Sequence, residues 1–451
     1  MSIRSEGDEM VLDREVNGGI CIVIEFITFA LAAFFSSLGW DVAAAILLML
    51  SGVLIFFFLS RVTRNFLNSR GLFLFVWNGT IGLSCLKLHP YQGTWEIGTW
   101  LCLLLAALAL LLGYDLGIAA KRRRTRFLMN RVNKTAVFIV LCGIIWVVFA
   151  LEVVYAGTIP LLSSDMSSYV NFGLPYLHYI TVTSATVPAL AVVLFDRKGV
   201  PILTKIIVLL LTLLCALIPF ALVSRQLILQ MVIVLGISFF KVHGLRKIKP
   251  WYLLAAGAAL FAVWMLATGS RNQSDAYLAY ALNLESPKNA KLQQLYLYIT
   301  YNYDIFNDNL KTAAFSTLGF RSLNPLWTLI GVKGMWPAKI VDFEHVKSIA
   351  VFTTAPMVFT PYCDFGVPGI AVFCFVVGFC IQRVEHGANF SSDRVYIVKK
   401  AILDYSLVMS FFTCFFSNTM IWVQLIVLSL VSLFCNTVDR KSDGKALSPR
   451  R

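Results

Sequence analysis

Residues 97–124 read IGTWLCLLLAALALLLGYDLGIAAKRRR, and this stretch decides the class of fold. Residues 97–118 form an apolar run with a single carboxylate, Asp115. A helix of that length crosses a hydrocarbon core of about 30 Å. Lys121-Arg122-Arg123-Arg124 follows, a cationic cluster of the kind retained on the cytoplasmic side of a membrane. In lipid every backbone N–H and C=O needs an internal partner, so the run predicts a helix.

The rest of the chain repeats this pattern. Of 451 residues 58% are hydrophobic and 14% charged, with a mean hydropathy of +0.76. A soluble domain carries about 25% charged residues, and so much apolar surface does not fit one water-soluble core. The ten-residue alternation of a membrane barrel is absent. The expected fold is an all-α polytopic membrane protein, residues 1–451 forming one integral membrane domain. Apolar periodicity places about twelve spans, at 19–38, 42–60, 71–86, 97–118, 135–156, 175–195, 203–222, 226–243, 251–269, 360–382, 397–416 and 418–436. Residues 1–17 are polar and charged, so the first span is expected to act as an uncleaved anchor.

Charge placement orients the spans. With both termini cytoplasmic, 28 of the 38 Lys and Arg residues fall on the inner side. The net charge of +14 is therefore spread between spans, not gathered in a stripe, which argues against nucleic acid as a partner. The ten cysteines lie mostly in apolar segments without metal-ligand spacing and are read as packing residues.

The outer segments are unequal. Residues 270–359 form a loop far longer than the others, and a loop of that length is usually functional. Leu292, Leu295, Tyr296, Ile299 and Tyr303 share one helical face within it. The expectation is a helix lying on the membrane surface with its tyrosines at headgroup level; a helix packed on the bundle is the alternative. No internal repeat relates residues 1–200 to 201–451, which weighs against a two-halves transporter.

Three outer-face arginines stand out because they run against the charge bias: Arg225 in a short turn between spans, Arg271 where a span emerges, and Arg321 inside the large loop. A guanidinium binds phosphate or carboxylate in bidentate fashion; pairing with lipid headgroups is the plainer reading. Asp342, Glu344 and His345 place two carboxylates and an imidazole just before the chain re-enters the membrane, as candidate general bases. Metal binding by the two carboxylates is not expected. Asp304 and Asp308 are read as solvated or capping, and Asp364 as the cap of the tenth span. Glu25, Asp115, Glu152 and Asp404 lie in or near spans and need partners or a cavity there. Asp115 is expected to pair with the basic cluster beside it, and Glu152 lies near an outer end.

Three segments in order resemble the Wzy-type O-antigen polymerases, which join oligosaccharide repeat units. GTIPLL at 157–162 follows a span, SRQLILQ at 224–230 opens one, and TTAPMVFTPYCDFGVPG at 353–369 is a Thr-rich approach to an acidic-aromatic-Gly span start. The resemblance covers about residues 150–385. It implies a glycosyltransferase of the bacterial inner membrane, transferring a growing glycan from undecaprenyl diphosphate to a lipid-linked acceptor unit. By motif match Arg225, with Arg271 and Arg321, would bind the diphosphate or glycan. No cofactor is implied, because the donor is already activated. A chain-length regulator and a flippase are the expected protein partners, with membrane lipids around the spans. The rival readings are a lipid-linked glycan flippase or other transporter, a ligase moving glycan to a lipid core, and a polyprenyl-phosphate-sugar transferase.

Overall fold

The computed structural model describes residues 6–120, 127–129, 131–163, 172–196, 200–244, 274–284, 286–341, 343–349, 351–391 and 393–438. These residues are dominated by helices: α1 (Glu6–Ser37), α2 (Asp41–Val62), α3 (Ser69–Cys85), α4 (Ile97–Ala119), α5 (Arg131–Ala156), α6 (His178–Phe195), α7 (Ile202–Ala221), α8 (Arg225–His243), α9 (Asp275–Ala281), α10 (Ala290–Asp308), α11 (Asn324–Leu329), α12 (Phe359–Phe390), α13 (Val395–Val408) and α14 (Thr419–Cys435). Two three-residue strands, β1 (Phe127–Met129) and β2 (Asn436–Val438), pair antiparallel.

Eight helices among the described residues are long and apolar enough to cross a membrane: α2, α4, α6, α7, α8, α12, Gly18–Ser37 of α1 and Lys134–Ala156 of α5. They coincide with eight of the twelve expected spans. The ninth, 251–269, lies outside the described residues. The third and twelfth are helices of 17 residues each, α3 and α14. The eleventh, 397–416, needs correction. Helix α13 ends at Val408, and the chain then turns through a short 3-10 segment at Phe415–Ser417. The backbone released there is used: Ser410 O accepts from Met357 N at 2.7 Å and Ser417 O from Asn324 Nδ2 at 3.4 Å. Irregular backbone among apolar helices is tolerated when protein groups satisfy it.

The chain divides into two compact units. Unit 1 comprises residues 1–120, 257–383 and 403–421; unit 2 comprises 121–256, 384–402 and 422–451. In unit 1, α4 and α12 cross at glycines. A Cβ on Gly113 would lie 1.9 Å from Phe375 O, and one on Gly378 would lie 2.1 Å from Leu110 O. Lipid supplies no hydrophobic drive between helices, so backbones approach this closely only where small residues permit it. The buried charges of unit 1 are partnered. Glu25 accepts from Asn78 Nδ2 at 2.9 Å, and Asp404 from Ser69 Oγ at 2.6 Å. Asp115 pairs with Arg70 at 2.5 Å, a partner from α3 that the sequence reading did not name.

The large loop is folded. Its helix α10 forms, and of the two expected placements the structure shows the packed one. It packs on α3, with Tyr303 OH 2.8 Å from Thr80 Oγ1 and Thr300 O accepting from Ser84 Oγ at 3.1 Å. Tyr301 and Tyr303 are fully buried, whereas Leu292 is exposed. The mis-set face has a physical cause: the second half of α10, from Thr300 to Phe306, is buried all round, so its polar residues face protein and amphipathic spacing loses meaning. Asp304 is likewise neither solvated nor a cap. Its oxygens accept from Trp95 Nε1 at 2.9 Å and Gln92 Nε2 at 3.3 Å.

Candidate functional site

The start of α12 is broken, and the break builds the site. Phe365 (φ −139°, ψ 20°) and Gly366 (φ 60°, ψ −146°) depart from helical geometry. The Gly366 conformation is essentially restricted to glycine. A Cβ there would also approach Phe315 Cε2 to 3.1 Å. Ahead of the break, Asp364 is fully buried, and its carboxylate accepts from Thr317 Oγ1 at 2.5 Å, Arg321 N at 3.2 Å and Ser322 N at 2.6 Å. Thr317 N in turn donates to Cys363 O at 3.1 Å. The expectation that Asp364 caps its own helix is corrected: it caps the turn 317–322 of the large loop. A kinked helix start points the carboxylate at that turn, and a buried carboxylate needs donors.

Arg321 is anchored by its backbone to Asp364, which frees its side chain for another role. Its Nη2 donates to Phe343 O, and its Nη1 lies 4.0 Å from Cys363 Sγ. The guanidinium carbon sits 5.9 Å from the Phe343 ring centre and 5.5 Å from that of Phe359. Among the described residues no carboxylate pairs with it. A half-buried cation between two aromatic faces, without a counter-ion among the described residues, has hydrogen-bonding capacity left for an anion.

His345 meets the other side of the same residues. Its ring stands edge-on to Phe359, centroids 5.5 Å apart. Burial pushes its pKa below the ordinary histidine value, Arg321 and Lys347 add to the effect, and the Thr353 backbone and Glu344 oppose it. The ring is thus neutral at pH 7 and competent to accept a proton. Both ring nitrogens are buried and make no hydrogen bond of full geometry among the described residues. The segment around His345 is held from α10. Asn309 Nδ2 donates to Val346 O, and Val346 N donates to Asn309 Oδ1, both at 2.7 Å. Tyr301 OH accepts from Ser348 N at 3.0 Å and Ile349 N at 3.1 Å.

Of the candidates named from the sequence, the structure brings Arg321 and His345 together, with Glu344 exposed beside them. Asp342 and Arg271 lie outside the described residues. Arg225 belongs to unit 2, as the first residue of α8 behind the cap Ser224, whose Oγ accepts from Leu227 N at 3.4 Å. Sequence reasoning missed Asn309, Tyr301, Phe359 and Lys347. An Asn and a Tyr eight residues apart gave no signal, because their partners are backbone groups some forty residues on.

Unit 2 holds a second buried carboxylate. Glu152, near the end of α5, is fully buried; its Oε1 lies 3.1 Å from His178 Nδ1 and accepts from Leu174 N at 3.3 Å. Its Oε2 accepts from Thr181 Oγ1 at 2.7 Å. Among the described residues no group of three or more His, Cys, Asp or Glu side chains is arranged to hold a metal ion. No protein-family model, curated protein or solved structure matches the chain.

Proposed function

We propose that the chain is a polymerase that joins polyprenyl-diphosphate-linked oligosaccharide repeat units on the outer face of a bacterial inner membrane, with both termini cytoplasmic and about twelve spans. The carrying observation is Arg321: a guanidinium outside the spans, held by its backbone, stacked between rings, and with no carboxylate partner among the described residues. Lys347 adds positive charge close to His345, whose neutral ring shares the Phe359 face with Arg321. Such a site suits a leaving diphosphate, where a preorganised donor contributes about 3–4 kcal/mol. Arg225 and Arg271 remain further candidates for diphosphate or glycan binding, and His345, Glu344 and Asp342 for proton transfer. Undecaprenyl-diphosphate-linked donor and acceptor are the substrates in this reading; neither metal nor cofactor enters it, and a chain-length regulator and a flippase would act alongside.

The test is the surface glycan of a deletion strain. It should collapse to single repeat units, and Arg321→Ala should behave like the deletion at normal protein level. Long chains in the deletion strain would exclude the polymerase. One observation favours a flippase instead: Glu25 and the Arg70–Asp115 pair lie within the helices of unit 1. A flippase deletion would abolish surface glycan altogether, single units included.

A further inference from the structure

The Glu152–His178 pair in unit 2 has the geometry of an oriented base. Three donors converge on the Glu152 carboxylate: the Leu174 N–H, the Thr181 hydroxyl and the His178 ring. A fully buried carboxyl group must have its oxygens filled by donors, and here the Leu174 N–H and the Thr181 hydroxyl supply two of them. Facing the acceptor oxygen Oε1 at 3.1 Å, Nδ1 of His178 is the donor, so Nε2 carries the lone pair. His178 is one-third exposed, and its Nε2 has no partner among the described residues. The backbone beside this ring leaves room for it. Gly173 has φ +116°, and a Cβ there would lie 2.6 Å from His178 Nδ1. Phe172 meets the ring edge-on at 6.3 Å. A histidine needed only to satisfy Glu152 would not require its second nitrogen to be left open.

We propose that His178, positioned by Glu152, is the base that accepts the proton of a sugar hydroxyl. The proposal rests on the polymerase reading. The acceptor oxygen forms a bond to the anomeric carbon of the donor, and the bond from that carbon to the diphosphate oxygen breaks. The diphosphate leaves with the electron pair. The hydroxyl proton passes to Nε2, and the imidazolium, stabilised by Glu152, returns it to solvent. Glu152 fixes the tautomer and does not itself take the proton.

The experiment complements the deletion strain with variants matched for membrane level by immunoblot. His178→Asn keeps an amide N–H for Glu152 but has no basic nitrogen. It should reduce polymer by at least 100-fold, the low end of general-base contributions. Long chains from His178→Asn at normal protein level would overturn the proposal and leave the polymerase reading intact. Long chains in the empty deletion strain would overturn both. A second measurement covers a poorly folded variant: membranes carrying His178→Gly should regain elongation with added imidazole, and should lose that rescue when Glu152→Gln is added. Absence of imidazole rescue, or rescue indifferent to Glu152→Gln, overturns the assigned roles.

Discussion

In unit 1 the buried carboxylate is Asp364, and its oxygens are filled by two backbone N–H groups and the Thr317 hydroxyl. In unit 2 the buried carboxylate is Glu152, and one of its donors is an imidazole. The first arrangement commits the carboxylate to backbone, which leaves the neighbouring Arg321 guanidinium without a carboxylate partner among the described residues. The second couples the negative charge to a titratable ring, which leaves a lone pair on the far nitrogen. In the readings proposed above, the same side-chain type, equally buried, serves an anion receptor in one place and a base in the other. What decides is the identity of the donors, which depends on chain geometry.

The sharpest way to break this comparison is to remove Asp364. Asp364→Ala strands the N–H groups of Arg321 and Ser322 and the Thr317 hydroxyl in a buried turn, at about 1–3 kcal/mol for each unsatisfied group. Elongation should fall to the level of Arg321→Ala, and thermal unfolding in detergent should shift down. Asp364→Asn retains one acceptor oxygen and should fall between. If Asp364→Ala elongates normally, the turn does not need its carboxylate and the unit 1 half of the comparison fails.

A smaller effect is expected from Gly366→Ala. The alanine must adopt φ +60°, ψ −146° and bring its Cβ to 3.1 Å from the Phe315 ring. Strain of about 1–3 kcal/mol follows. The break would relax toward helix and draw Asp364 away from the turn, so chain length should shorten without collapsing. The glycan ladder of Gly366→Ala beside wild type measures this. The dyad of unit 2 contains no group from this segment, so the imidazole rescue described above should persist in the Gly366→Ala background.

Much of the frame was legible in the sequence. Apolar run length located eight helices that satisfy the membrane criterion, because lipid imposes a length and a polarity that no tertiary contact overrides. Arg321 stood out for a related reason: in the expected orientation it runs against a general charge bias. The partners were not legible. Asp364 read as an N-cap because it precedes a helix with Gly and Pro in its first turn, and only the break at Phe365 and Gly366 turns it elsewhere. Glu152 was visible as an oddity in a span, but His178 sits 26 residues away and became meaningful only when the chain folded back. Asp304 looked solvated because it lies in a polar sequence, YDIFND, whose helix is in fact buried.

Asp304 supplies the smallest expected effect on elongation and a test of a different kind. Its carboxyl is 3% exposed, and burial pushes its pKa up to about 7, against the lowering effect of the Trp95 and Gln92 hydrogen bonds. The unfolded chain ionises near the ordinary aspartate value of about 4. Below that value both states hold the proton. Between about 4 and 7 the folded state keeps a proton that the unfolded state has lost, so stability falls as pH rises. Above about 7 both are ionised and the slope ends. Helix α10 also presents Tyr301, and Asn309 follows directly on it, so Asp304 belongs to the frame that holds the His345 segment. Asp304→Asn removes the titration. The unfolding midpoint of wild type relative to this variant should decline from pH 5 to pH 7 and level off above. Glycan length at pH 7 should be nearly unchanged, because the indole N–H of Trp95 still finds an acceptor. A wild-type-minus-variant difference that is flat across that window would mean that Asp304 is ionised throughout, and that burial in the frame of unit 1 does not hold a proton on it.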